Sequence, residues 1–190
     1  MTMPPDHTIN TSAELDLLYG APSERARQKQ KDQLDVLHRQ FIALSPFLLL
    51  TSSGPLGLDC SPRGDQPGFA QVADAKTLLI PDRRGNNRID SLRNIVSDPR
   101  VGLLFLIPGL NECLRVNGRA SISVAPVLLQ RFVLDGEVPK IVLVVDVEQA
   151  FTQNVRAIHR AALWANSPTT DEARRSALQY ALQRQAQQGD

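Results

Sequence analysis

Between Phe47 and Val147 the apolar residues come in short runs, none longer than a strand, and most gaps between runs hold a glycine or a proline. A chain punctuated this way is built from many short strands closed by tight turns, which points to a small antiparallel barrel or sandwich. The predicted strands are Phe47–Ser52, Leu58–Arg63, Gln71–Ala73, Thr77–Pro81, Val101–Ile107, Glu112–Val124 and Ile141–Val147. Helical patterns lie at the margins and in two insertions. Thr11-Ser12-Ala13-Glu14 reads as a capping box opening a helix that Gly20 ends. A longer helix begins at Pro22-Ser23 and stops at Ser45-Pro46, with Leu34, Leu37, Phe41 and Leu44 on one face. Arg88–Ser97 presents Ile89, Leu92, Ile95 and Val96, a face suited to covering an open barrel end. Pro126–Leu134 is a short helix, and Glu148–Trp164 and Asp171–Gln188 are predicted helical.

The 190 residues carry 21 Lys+Arg against 20 Asp+Glu, a net charge of +1, and the hydrophobic fraction is 42%. That balance is ordinary for a soluble globular domain and excludes a general nucleic-acid or anionic-membrane binder. No apolar run approaches the ~18 residues of a membrane span. The N-terminus lacks a basic region followed by an apolar one, so no signal peptide is expected. Two cysteines, Cys60 and Cys113, are too far apart for a paired metal motif, and a reduced, cytoplasmic setting is the expectation. His7, His38 and His159 are scattered, which argues against a histidine-built metal site. Motifs of serine hydrolases, zinc proteases, P-loop enzymes and dinucleotide-binding folds are missing.

The basic residues concentrate locally. Asp82–Arg88 follows an apolar strand, enters a helix, and gathers Arg83, Arg84, Asn86, Asn87 and Arg88 around Gly85. Unpaired backbone N–H groups at a helix entrance, the helix dipole and guanidinium forks together suit a phosphate. The plain alternative is a solvated loop whose asparagines cap a helix. Asp59-Cys60-Ser61-Pro62-Arg63-Gly64-Asp65 is either a strand ending in a surface turn or a second source of ligands. Cys113-Leu114-Arg115-Val116-Asn117 alternates, so Cys113, Arg115 and Asn117 share one face.

The order of strand, Gly85-Asn86-Asn87-Arg88 turn, helix, Asp98-Pro99-Arg100-Val101, apolar strand, turn and Arg115-Val116-Asn117-Gly118-Arg119-Ala120 strand resembles the pyridoxamine 5'-phosphate oxidase-like family over about Phe47 to Val147. These are FMN-binding split β-barrels. The resemblance implies a mainly β fold with flanking helices (α+β), a small antiparallel split β-barrel. Residues 47–147 would be the flavin-binding domain, 1–46 an N-terminal helical extension and 148–190 the C-terminal helices. It also implies FMN as cofactor, a homodimer with the flavin in a groove between subunits, and a small-molecule substrate or electron donor.

Residue by residue, Asn86, Asn87 and Arg88 align with the family's small-basic-basic run that holds the FMN phosphate. Two asparagines there lower the positive charge, for which Arg83 and Arg84 can compensate. Ser61 and Arg63 match a strand position that reaches the flavin phosphate or ring edge, while Pro62 departs from the oxidases' unbroken strand. Asp90 and Arg93 on the following helix extend the anion site. Cys113 falls near a glutamine that touches the flavin ring. The arginine- and histidine-bearing tail with which the oxidases recognise substrate has no match in Asp171–Asp190, so oxidation of vitamin B6 phosphates is not implied. The alternative function is a protein that holds FMN, a deazaflavin or haem without turnover.

Overall fold

Seven strands form one antiparallel sheet in the order β2-β1-β5-β6-β7-β4-β3. They are β1 (Phe47–Gly54), β2 (Gly57–Gly64), β3 (Gln71–Val72), β4 (Thr77–Pro81), β5 (Arg100–Leu106), β6 (Glu112–Ser123) and β7 (Val142–Asn154). The structure is a computed structural model that describes residues 7–21, 24, 29–55 and 57–164. Five α-helices with bounds among the described residues accompany the sheet: α1 (Ser12–Tyr19), α2 (Val36–Leu44), α3 (Asp90–Ser97), α4 (Pro126–Leu129) and α5 (Arg156–Arg160). Among the described residues no helix is long and apolar enough to cross a membrane.

Residues facing each other across a strand pair point to the same side, so the register identifies the inner face. Leu48 lies opposite Phe105 and Leu50 opposite Leu103. Phe105 and Leu103 in turn face Leu114 and Val116. Leu143 and Val145 of β7 face Ile80 and Leu78 of β4. All ten belong to one buried cluster, most of them fully shielded. One face of a seven-stranded sheet buried so completely beneath so few helices requires the sheet to wrap around its own side chains, which is the split barrel. On the outer face, Leu79 and Val142 pack with Phe132 in a second, smaller cluster under α4 and its following turn.

The helix margins show which local signals survive. Thr11 and Glu14 form both arms of the predicted capping box, and Gly20 ends α1 at φ 68°. The long helix predicted from Pro22 differs. Residues 29–35 are not helical: Lys31 bridges to Ala150 of β7, and Asp35 caps the helix that opens at Val36. The buried face of this helix is His38, Phe41 and Ile42, with Leu34 buried just before it, whereas Leu37 and Leu44 are exposed. His38 is tolerated inside because its Nδ1 accepts the Asp35 N–H at 3.3 Å. Residues 22 and 23 and the predicted helix Asp171–Gln188 lie outside the described residues.

A larger difference concerns the chain after Val147. The predicted helix over Glu148–Trp164 opens as strand: β7 continues to Asn154, and only Arg156–Arg160 is helical. The cause is tertiary. β6 is long, and Glu112 to Asn117 need partners, which Asn154 to Gln149 supply. A bulge between Asn117 and Gly118 lets the paired strands bend. Pro62 does not interrupt β2, because β2 is an edge strand and a missing N–H is tolerated there.

Candidate functional site

The segment Asp82–Ile89 links β4 to α3 and forms one lip of a cleft of about 1120 Å³. The opposite walls are the inner face of β2, at Asp59, Ser61 and Arg63, and the Glu137–Lys140 loop before β7. Phe69, Pro81 and Leu92 supply apolar surface between them. A volume at the top of the ~300–1,000 Å³ range of small-molecule sites accommodates a cofactor-sized ligand. A second concavity of about 220 Å³, lined by Asn111, Arg156, His159 and Arg160, is too small for one.

Alternation along β2 explains the polar wall. Asp59, Ser61 and Arg63 stand opposite Ser52, Leu50 and Leu48, so they project to the barrel's inner side. What meets them there is α3. Ser91 and Asn94 are its buried polar residues; Asn94 Nδ2 donates to Ser52 Oγ at 3.2 Å, and the Ser91 hydroxyl makes a short bond to Asp59 Oδ2. Ser61 Oγ donates to the same carboxylate oxygen at 2.8 Å, and Arg63 Nη2 reaches Ser91 Oγ at 3.4 Å. The Ser91 hydroxyl holds the Asp59 carboxyl below its usual range, aided by Ser61, Arg63 and Arg88 and opposed by partial burial. The predicted apolar face of this helix is thus only partly used: Leu92 and Ile95 pack inward, while Ile89 and Val96 are exposed.

The lip is shaped by its own bonds. Arg83 donates from Nε to Asp65 Oδ2 and from Nη1 to the Phe132 carbonyl, each at 2.6 Å, fastening the segment to β2's end and to the turn after α4. The Arg88 N–H donates to Asn86 Oδ1 at 3.1 Å, and the Arg88 guanidinium pairs with Asp90 at 2.9 Å. Asn87 and Ile89 adopt positive φ, 60° and 49°. The left-handed region is strained for a β-branched residue such as Ile89, by about 1–3 kcal/mol, and such outliers gather at ligand sites. Ile89 is also the N-cap of α3 and makes no side-chain cap bond. The first-turn N–H groups therefore remain available to an anion.

Of the nine residues singled out in the sequence, Ser61, Arg63, Arg83, Asn86, Asn87, Arg88 and Asp90 line this one cleft. Arg93 does not; it sits on the exposed side of α3. Cys113 does not either. It lies opposite Leu106 on the outer face of the sheet, is 1% exposed, and burial raises its thiol pKa. Asp59, Ser91, Arg84 and Lys140 line the cleft as well. Of its cations, Arg84 and Lys140 have no hydrogen-bonded or ion-paired partner among the described residues.

The family model for pyridoxamine 5'-phosphate oxidase matches residues 34–154, more than half of the chain. The chain belongs to the pyridoxamine 5'-phosphate oxidase family. The matched stretch opens at Leu34, the first core residue before α2, and closes at the last residue of β7, so it coincides with the barrel and its covering helix. Among solved structures, HupZ from Group A Streptococcus superposes with a TM-score of 0.52 at 18% identity, covering 64% of this chain and 94% of that one. A variant of the same streptococcal protein gives 0.52 at 16% identity, covering 63% and 98%. Identities this low establish a shared fold and nothing about ligand. None of the curated proteins matches the chain significantly.

Within this family member the two thiols should behave differently. Cys60 is exposed and Cys113 buried, so a chromogenic disulfide reagent is expected to titrate one thiol in the folded protein and two after denaturation. Two fast-reacting thiols in the folded state would contradict the burial of Cys113.

Proposed function

We propose that the chain is a homodimeric flavoprotein, an FMN-dependent oxidoreductase of the pyridoxamine 5'-phosphate oxidase family. Its FMN phosphate lies at the Asp82–Ile89 lip and its flavin ring along the apolar floor. The observation that carries this reading is the cleft, in which arginines, asparagines and an uncapped helix N-terminus converge beside apolar surface. The donor set fits the group: guanidinium and backbone N–H donors for a phosphate, and Phe69, Pro81 and Leu92 for an aromatic ring.

When bound, FMN supplies the hydride or electron transfer, and the protein has to bind, orient and shield it. Arg88 and Arg84 hold the phosphate, Asn86 and Asn87 shape the turn around it, and the first turn of α3 offers N–H donors. Arg63 lies along the flavin from the β2 wall. Arg83, already committed to Asp65 and Phe132, acts by fastening the lip. A two-subunit arrangement follows the family and would cover the outer faces of β1 and β5.

The test is the visible spectrum of the protein titrated with FMN, for the wild type and Arg88→Ala. Loss of charge-assisted bonds worth about 1.5–3 kcal/mol predicts FMN binding weaker by roughly ten- to a hundredfold in the variant. Equal uptake by both removes Arg88 from the site; no uptake by either removes FMN.

One observation favours a second reading, a flavin carrier without turnover: of the carboxylates lining the cleft, Asp59 is held by the Ser61 and Ser91 hydroxyls and Asp90 by Arg88, so neither is free to exchange a proton with a substrate. The described lining holds no histidine, cysteine, tyrosine or methionine, the usual axial ligands of haem, so flavin fits it better than haem does. A bound flavin bleached by NAD(P)H and recoloured by air supports the oxidoreductase. A bound flavin inert to reductant supports the carrier.

A further inference from the structure

We propose that Asp59 is a resident counter-anion of the cleft, which limits how much negative charge a ligand can bring and so sets the preference between phosphorylated and unphosphorylated flavin. The inference rests on the flavin reading above and deepens it. Ser61 Oγ, at 2.8 Å, and Ser91 Oγ both donate to Asp59 Oδ2. The two hydroxyls lie 3.2 Å apart, and Arg63 Nη2 approaches Ser91 Oγ at 3.4 Å. Hydroxyls converging on one oxygen beside a guanidinium, at the first turn of a helix, are what a phosphate oxygen would require. Here the chain's own carboxylate takes that place.

The arrangement is built into the fold. Ser91 is 2% exposed, and Asp59 is directed inward by the alternation of β2. Two other guanidinium groups of the cleft are paired directly with carboxylates, Arg83 with Asp65 and Arg88 with Asp90. The lining residues comprise five cations, Arg63, Arg83, Arg84, Arg88 and Lys140, and four carboxylates, Asp59, Asp82, Asp90 and Glu137. A dianion entering this cleft therefore meets a nearly neutral site, with the Asp59 charge fixed beside Arg63 at its inner wall. Protein walls screen that repulsion less than water does. Ring and polyol contacts then carry a larger share of flavin recognition than the phosphate does.

Asp59→Asn keeps an oxygen to accept from Ser61 and Ser91 and removes the charge, with an amide NH2 in place of the other oxygen. Dissociation constants for FMN and riboflavin, read from quenching of flavin fluorescence, are compared between the wild type and this variant. The expected result is FMN binding about tenfold tighter in the variant with riboflavin unchanged. An unchanged FMN-to-riboflavin ratio overturns the proposal. Weaker binding of both flavins also overturns it, and assigns Asp59 as an acceptor for a ligand hydroxyl. If neither protein takes up either flavin, the flavin reading fails by itself. Inorganic phosphate then decides Asp59: a larger phosphate-induced rise in melting temperature for the variant supports the counter-anion, and equal rises overturn it.

Discussion

Gly118→Ala is expected to lower the melting temperature by roughly 6–12 °C, measured by calorimetry or circular dichroism. Gly118 stands at the bulge where β6 shifts its register against β7. A Cβ there would fall on the Asp146 carbonyl, 3.0 Å from its carbon and 3.3 Å from the Val147 Cα. These are backbone atoms of a paired strand and cannot rotate aside. Overpacking costs about 1–3 kcal/mol where side chains can adjust, and the upper end applies where strands must separate. At about 2–4 °C per kcal/mol for a chain of this size, the shift follows. An unchanged melting temperature would mean that the two strands part there without resistance.

Gly54→Ala is expected to weaken both the fold and the cleft. Its Cβ would lie against the Asn94 side chain, 2.8 Å from Cγ and 3.0 Å from the helix backbone at Cα. Asn94 is 7% exposed and bonds Ser52, so α3 has to move away from β1 and a buried hydrogen bond is lost. Overpacking together with an unsatisfied buried amide gives roughly 2–4 kcal/mol of destabilisation. Because α3 also carries Ser91 and the N-terminal turn, flavin uptake should fall in the same variant. Gly118 does not line the cleft, so Gly118→Ala should retain uptake at temperatures where it remains folded. Retention of full flavin affinity by Gly54→Ala would uncouple the seat of α3 from the site.

How far the sequence revealed this molecule depends on the range of the forces involved. The capping box at Thr11–Glu14 and the short apolar runs of β1, β4 and β5 were legible because each is decided by neighbours in the chain. The second half of β7 was not. Glu148-Gln149-Ala150 favours a helix locally, and only the demand of β6 for partners makes it a strand. Residues 29–35 leave the predicted helix for a related reason, since Lys31 is drawn into pairing with Ala150. At the site, the Asp82–Arg88 turn declared itself through composition. Asp59 and Ser91 did not, because their roles exist only once α3 is laid across β2, and no spacing in the sequence encodes that contact. Alternation did place Cys113 on the same face as Arg115 and Asn117, and that face is the one turned away from the cleft.

Pro62 has a consequence beyond the site. β2 is an outermost strand, and long outermost strands are the usual place where one molecule adds to another to begin a fibril. At Pro62 the row of donors that an incoming chain would read has a gap. A proline at this place removes one of the donors through which a further strand could add to the open edge.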